Sequence, residues 1–276
     1  AEYFGSRFIP TLSDRERVDA LLDAWRHDLE HRANEPPLRL LMGYIVGPDA
    51  AGHQFGPDAQ EPLEQTMAAD ALLRHLHDEA LALWERRRTP ADDFVFLVTT
   101  DHGMSPVHTL VNLERLIDAD SHGPAIKTLA LGSIGQVFLT KDAGAETRKE
   151  IERRLAGYRF VRVYAREALP PEWGYAHPTR VGDLVVVLDP GYAFSHRVPG
   201  VTADAASVGG PLGMHGYHPA VNEDMHGALF IWRASRPWGG VDLGQVDALQ
   251  LHATVASLLG IEPAPDARRD PVRLSE

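Results

Sequence analysis

The amino-acid sequence predicts an α/β protein in which a mostly parallel sheet carries helices on both faces. Short, almost wholly apolar runs of strand length recur along the chain, and segments with apolar residues at helical spacing lie between them. Strands that are apolar on both sides are typical of a sheet that is covered on both faces. The chain has 276 residues, 44% of them hydrophobic, which is enough to build a large core. We therefore expect a single α/β domain over residues 1–276.

The predicted elements follow one another in order. Ser13 and Glu16 have the spacing of a capping box, and the apolar residues after them predict a helix over residues 14–32. Gly260 is the expected stop of the last helix. Gly, Pro and polar residues indicate a loop-rich insertion around 165–227. The other predicted strands are 38–46, 94–100, 134–140, 160–164, 184–188 and 229–232, and the other predicted helices are 61–87, 146–157 and 244–259.

Composition excludes several classes of function. The chain has no cysteine, so disulfides, thiolate zinc sites and a cysteine nucleophile are excluded within it. Its formal net charge of −12 argues against binding to a nucleic-acid duplex, because phosphate backbones are held mainly by Lys and Arg. No apolar run approaches the roughly 18 residues that a membrane-spanning helix needs. The 14 histidines, in contrast, are a surplus that suits metal chemistry.

Three segments carry metal-ligand residue types at strand ends or in long loops. Asp49 and His53 are four residues apart, so one helical turn or a tight loop can aim both at one point. Asp101 and His102 directly follow a predicted strand, and His215 stands in a glycine-flanked loop. Ligands bind beyond the carboxyl ends of the strands in such a sheet. Because carboxylate and imidazole together suit zinc, the sequence predicts a divalent metal site.

Each segment also has a simpler interpretation. Gly-Pro-Asp is often only a turn, Asp-His after a strand is often a helix N-cap, and a glycine-flanked histidine is often a surface loop. The occurrence of all three together favours a shared site. Asp49, His53 and His215 make three ligands plus an open position, which is the usual layout of a catalytic zinc site. Asp101 and His102 supply only two ligands, too few for a tight site.

These motifs resemble those of the alkaline phosphatase superfamily, and specifically of its type I phosphodiesterase/nucleotide pyrophosphatase branch. The matching stretches are PDAAGHQFGP at 48–57, TDHGM at 100–104, MHGY at 214–217 and LLGIEPAP at 258–265. The sequence YFGS at 3–6 is weakly similar to an aromatic-Gly-Ser segment that precedes the first motif in that family. The resemblance implies an alkaline-phosphatase-like fold and two zinc ions as cofactors.

The resemblance also implies how the ligands divide between the two ions. Asp49, His53 and His215 resemble the ligands of one zinc, while Asp101 and His102 resemble part of the second site. In the family the second site is completed by an aspartate at the end of the first strand and by a nucleophile, normally threonine.

Neither of these two groups is recognisable before Asp49. Thr11 and Ser13 are the only threonine and serine side chains between Ser6 and that aspartate, and Ser13 is better explained as a helix cap. We therefore expect that the chain lacks the N-terminal part of its catalytic domain. The nucleophile would lie upstream of Ala1, and this chain alone would be inactive.

The activity that the resemblance implies is hydrolysis of a phosphodiester or nucleotide pyrophosphate bond in a small phosphate-ester substrate. Two alternatives stay open. One is another hydrolase or transferase of the same superfamily, such as a phosphomonoesterase, a phosphonoacetate hydrolase or a phosphoethanolamine transferase. The other is a non-catalytic metal-binding fragment. Comparing the turnover of diesters with that of monoesters distinguishes the first alternative from a phosphodiesterase. Measuring zinc stoichiometry and testing for any hydrolysis distinguishes the second alternative from an enzyme.

Overall fold

The fold is given by a computed structural model that describes residues 12–31, 36–236, 240–267 and 269–274. Its helices are Asp14–His31 (α1), Gly47–Phe55 (α2), Gln60–Glu85 (α3), Leu113–Ile117 (α4), Ala119–His122 (α5), Ala145–Leu155 (α6) and Gln250–Leu259 (α7). Its strands are Val95–Thr99 (β1), Ser105–Pro106 (β2), Thr109–Val111 (β3), Ile126–Leu131 (β4), Ile134–Leu139 (β5), Val161–Ala165 (β6), Leu184–Leu188 (β7), Tyr192–Phe194 (β8), Thr202–Asp204 (β9), Gly213–Met214 (β10) and Leu229–Arg233 (β11). None of the described helices is both long enough and apolar enough to cross a bilayer.

The chain divides into two compact units. The first unit comprises the described parts of Ala1–Val46, Ala68–Asp101 and Gly227–Glu276. The second unit comprises Gly47–Met67 and His102–His226. The expectation of a single domain over the whole chain stays a prediction.

In the first unit, α1 begins with the predicted capping box. The Ser13 amide donates to Glu16 Oε2 at 2.7 Å, and the Glu16 amide donates to Ser13 Oγ at 3.3 Å. These bonds satisfy two N–H groups at the helix start, and the bonds from Ser13 hold the pKa of Glu16 below its usual value. The apolar face of α1 then packs against the second half of α3 through Val18, Leu22, Ala80 and Leu83.

The first unit also contains an antiparallel strand pair, β1 with β11. Val95 lies opposite Arg233 and Thr99 lies opposite Leu229. Asp93 closes one end of the pair, because its carboxylate accepts from Arg233 Nε at 2.8 Å and from the Ser235 amide at 3.0 Å. Burial opposes ionisation of this carboxyl. The hydrogen bonds from Ser235 and Arg233 outweigh burial and hold the pKa of Asp93 below its usual value.

The second unit is built around a four-stranded antiparallel sheet in the order β4-β5-β7-β6. A smaller sheet has the order β8-β3-β9, and β2 and β10 form a two-residue antiparallel pair. Helices α4 and α6 cover the larger sheet, and the apolar faces of these elements make a fully buried core. Its members include Leu116, Ile117, Val137, Ile151, Leu155, Leu184 and Val186.

Most predicted elements are confirmed, with boundaries that differ by a few residues. Helices α1, α3 and α6 and strands β1, β5, β6, β7 and β11 lie where the periodicity predicts them. The last helix starts at Gln250 rather than at residue 244, and it ends at Gly260, whose φ of 66° suits a glycine stop. Residues 165–227 are loop-rich as predicted, with strands of two to five residues among short helical turns. Residues 3–6 and Thr11 lie outside the described residues.

Two sheet predictions have a different outcome. The predicted strand at residues 38–46 is wrong: the segment is irregular, and Leu40 and Met42 are exposed. An apolar run becomes a strand only if a neighbour pairs with its backbone groups, and no strand in the described ranges does so. The mostly parallel sheet is not confirmed, because β3 with β8 is the one parallel pair among the described strands. Tight connections such as Gly132-Ser133 between β4 and β5 can join only antiparallel neighbours.

Candidate metal centre

Asp49 and His53 lie on one face of α2 in the second unit. The spacing of four residues places the two side chains one helical turn apart, and His53 Nε2 lies 3.5 Å from Asp49 Oδ1. The other ring nitrogen, Nδ1 of His53, donates to the Gly213 carbonyl oxygen at 2.8 Å. A carbonyl oxygen can only accept, so Nδ1 carries the proton. In the neutral form of such a ring, Nε2 carries the lone pair, and here that atom faces Asp49.

The His102 ring is oriented by a backbone carbonyl in the same way as the His53 ring. Its Nδ1 donates to the Gly103 carbonyl oxygen at 2.9 Å, so Nε2 is the ring nitrogen that a metal ion could use. The His102 ring stacks on the His215 ring, with centroids 3.6 Å apart and planes at 15°.

His215 directly follows β10, which packs against α2. Gly213 permits this close approach, because a Cβ there would overlap the Gly52 carbonyl oxygen. His215 Nε2 lies 3.8 Å from Asp49 Oδ1. Tyr217 anchors the loop that follows: its buried hydroxyl donates to the Tyr192 carbonyl oxygen at 2.7 Å. Burial raises the pKa of Tyr217, so the hydroxyl stays protonated at neutral pH.

One carboxylate oxygen and two imidazoles converge in this way. One ligand atom from each of Asp49, His102 and His215 lies within 4.8 Å of the other two. The buried Oδ1 of Asp49 makes no hydrogen bond to any group in the described ranges, although two imidazole nitrogens face it. A buried carboxylate oxygen without a hydrogen bond is unfavourable unless a cation pairs with it. The donor set and this oxygen therefore fit a divalent cation of the kind that imidazole and carboxylate bind.

Four of the five residues singled out from the sequence, all except Asp101, thus meet in the second unit. Their grouping differs in part from the one that the resemblance implies, because His102 stacks on His215 and joins it beside Asp49. Asp101 belongs to the first unit, where its carboxylate accepts from the Tyr44 hydroxyl at 3.2 Å.

The sequence did not identify the groups that orient the rings. These groups are the backbone carbonyls of Gly103 and Gly213. Their signal was the glycine beside each motif, which marks close approach of the backbone without saying what approaches it.

Known proteins resemble this chain in sequence. A family model described as type I phosphodiesterase / nucleotide pyrophosphatase matches residues 1–218. Ectonucleotide pyrophosphatase/phosphodiesterase family member 7 of Mus musculus is 26% identical over 269 residues, which cover 91% of this chain and 56% of that protein. Bis(5'-adenosyl)-triphosphatase ENPP4 of Homo sapiens is 25% identical over 246 residues, which cover 84% of this chain and 47% of that protein.

Solved structures share the fold. An inactive form of murine ectonucleotide pyrophosphatase / phosphodiesterase 5 in complex with AMP superposes with a TM-score of 0.63 at 21% identity, over 82% of this chain and 53% of that one. The human protein of the same name gives a TM-score of 0.61 at 22% identity, over 82% and 54%. The chain therefore spans about half the length of the proteins that it matches. Because the family model covers most of its residues, the chain belongs to the type I phosphodiesterase/nucleotide pyrophosphatase family of the alkaline phosphatase superfamily.

Proposed function

We propose that the protein containing this chain hydrolyses a phosphodiester or pyrophosphate bond in a small nucleotide-type substrate. Its proposed cofactors are two divalent metal ions, with zinc as the preferred metal. The observation that carries this proposal is the convergence of His53, His102 and His215 on the Asp49 carboxylate. Family membership supports the reaction class. Relatives named as a nucleotide pyrophosphatase and as a bis(5'-adenosyl)-triphosphatase support the substrate class.

We assign Asp49, His53 and His215 to one ion, and Asp101 with His102 to the second. When bound, two such ions neutralise charge on the phosphoryl group and lower the pKa of a coordinated water. The part played by this chain is to hold the ligands ready. The Gly213 and Gly103 carbonyls keep the His53 and His102 rings in one tautomer and one orientation before any ion arrives.

The nucleophile is not among these residues. No strand that ends in Asp and leads to a Thr or Ser turn is recognisable before Asp49 in the sequence. We therefore assign neither the nucleophile nor the remaining ligand of the second ion to a residue of this chain.

Metal stoichiometry tests the site in this chain. We expect the unaltered chain to retain zinc after gel filtration, and His215→Ala to lose the ion shared with Asp49, as measured by elemental analysis. His75→Ala is the matched control, because His75 lies on the surface of α3 with its Nε2 3.9 Å from Asp19. Unchanged zinc content in His215→Ala would contradict the assignment.

Activity is tested on the zinc-loaded protein that contains this chain. We expect faster hydrolysis of bis(p-nitrophenyl) phosphate than of p-nitrophenyl phosphate. A preference for the monoester would instead favour another hydrolase of the superfamily. Zinc binding without hydrolysis of either ester would favour a non-catalytic metal-binding protein.

A further inference from the structure

We infer that Ser105, Asn222 and Asp224 are positioning residues that hold His102 and His215 at their working separation. The inference rests on the proposed function, since it concerns the same metal centre. None of the three residues belongs to the ligand set, and Asn222 and Asp224 lie in a segment to which the motifs give no role.

The three side chains form a closed hydrogen-bond network in the second unit. Ser105 is 1% exposed, and its hydroxyl donates to Asp224 Oδ2 at 2.6 Å. The Ser105 hydroxyl oxygen in turn accepts from Asn222 Nδ2 at 3.1 Å. A carboxylate can only accept and an amide nitrogen can only donate, so the direction of both bonds is fixed. Asn222 Oδ1 in turn accepts from the Asp224 amide at 3.4 Å.

This network supports the backbone next to His102. The Gly103 amide donates to the Met225 carbonyl oxygen at 3.1 Å. A Cβ on Gly103 would overlap the carbonyl oxygen of Asp224, so the two backbones are in direct contact. The Gly103 carbonyl is the acceptor that orients the His102 ring. A shift of residues 222–225 would therefore change the hydrogen bond that sets the direction of His102 Nε2.

The network also reaches His215. The backbone of Ser105 pairs with Met214 in the short β2–β10 ladder, directly before His215. Ser105 thus stands where the chain leaving His102 meets the chain entering His215. A locked Ser105 side chain fixes the spacing of two rings that stack 3.6 Å apart. Metal affinity depends on such supporting bonds as well as on the ligands themselves.

The test measures the zinc affinity of the metal-free chain by competition with a chromogenic chelator, and the visible absorption of the cobalt-substituted chain. Asp224→Ala removes the acceptor of the Ser105 hydroxyl, whereas Asp224→Asn keeps an acceptor oxygen. Ser105→Ala removes the donor. Glu223→Ala is the control, because it removes the neighbouring carboxylate, which is exposed.

We expect Asp224→Ala and Ser105→Ala to weaken zinc binding by about tenfold or more and to shift the cobalt spectrum. Asp224→Asn and Glu223→Ala should match the unaltered chain. The double variant Ser105→Ala/Asp224→Ala should bind zinc no more weakly than Ser105→Ala alone, because both changes remove the same bond.

Two results would count against the inference, and they differ. If the unaltered chain binds zinc and both alanine variants bind it equally well with an unchanged cobalt spectrum, the positioning role is overturned alone. If the unaltered chain binds no zinc, the proposed function is overturned and the inference with it. If Ser105→Ala fails to fold, the inference is still tested at Asp224, which is exposed. The zinc affinities of Asp224→Ala and Asp224→Asn are then compared.

Discussion

Two histidines of the candidate metal centre share one arrangement, in which Nδ1–H is donated to a glycine carbonyl oxygen. His53 donates to Gly213 and His102 donates to Gly103. The backbone therefore holds both rings in one orientation, and a backbone carbonyl cannot change rotamer as a side-chain partner can. At both glycines an added Cβ would overlap a neighbouring carbonyl oxygen. The absence of a side chain is thus part of the site.

The first prediction at this scale concerns Gly103→Ala. The new Cβ would collide with the Asp224 carbonyl oxygen, so the free energy of unfolding should fall by about 1–3 kcal/mol, as measured by urea denaturation. Gly200→Ala is the control, because the nearest atom to its Cβ would be 4.0 Å away. Equal free energies of unfolding in the two variants would show that the 222–225 segment can move away from the new Cβ without destabilising the fold.

Tyr217 gives a second prediction, with a dependence on pH. Tyr217→Phe should lower the free energy of unfolding by about 1 kcal/mol, because the Tyr192 carbonyl loses its donor. Burial raises the pKa of Tyr217 in the folded chain, so its contribution is fully present below the unfolded tyrosine pKa of about 10 and is lost as pH rises above it. Urea denaturation at a series of pH values from below to well above about 10 should show a shallower decline in the variant. Parallel declines would contradict this role.

At the scale of elements, the β1–β11 pair depends on a charged end group as well as on apolar packing. Asp93 binds Arg233 and Ser235 across the end of the pair, and its pKa lies below the ordinary value despite burial. A carboxylate with a lowered pKa stabilises the fold above its unfolded pKa and ceases to do so as pH falls through the folded pKa.

We therefore expect Asp93→Asn to reduce stability at neutral pH and to flatten the loss of stability below about pH 4. Chemical denaturation at a series of acidic pH values measures both effects. Asp70→Asn is a control, since that carboxylate is 75% exposed and lies 3.7 Å from Arg74. If the free energy of unfolding falls equally steeply with decreasing pH in the unaltered chain and in Asp93→Asn, this role of Asp93 is excluded.

The elements also show what sequence reasoning reaches. Helices such as α3 and strands such as β7 were predictable, because apolar spacing and apolar runs are local properties. Strand pairing is not local: the apolar segment 38–46 stays irregular, and β4 turns back onto β5 as a hairpin. The same limit applies to the site. The motifs identify His102 and His215 because they are local, whereas the Ser105–Asp224 hydrogen bond joins residues more than a hundred positions apart, and a lone serine in the sequence does not indicate it.

At the scale of the whole molecule, the metal centre should contribute to global stability. An ion that binds only the folded chain stabilises it by mass action, by about 2.7 kcal/mol when free zinc is about 100-fold above its dissociation constant. The midpoint temperature of thermal unfolding should therefore rise when zinc is added and return to its original value when a chelator is added. His215→Ala should show no shift, and an equal shift in that variant would place the stabilising zinc elsewhere.

Asp49 and His215, which we assign to one ion, come from two stretches that are far apart in the sequence. An ion held by both would tie these stretches together as a disulfide does, closing a long loop in a chain that has no cysteine. Such a cross-link does not depend on an oxidising compartment, because it contains no sulfur to reduce. It would persist in thiol reductants and open to chelators, the reverse of the behaviour of a disulfide-linked fold.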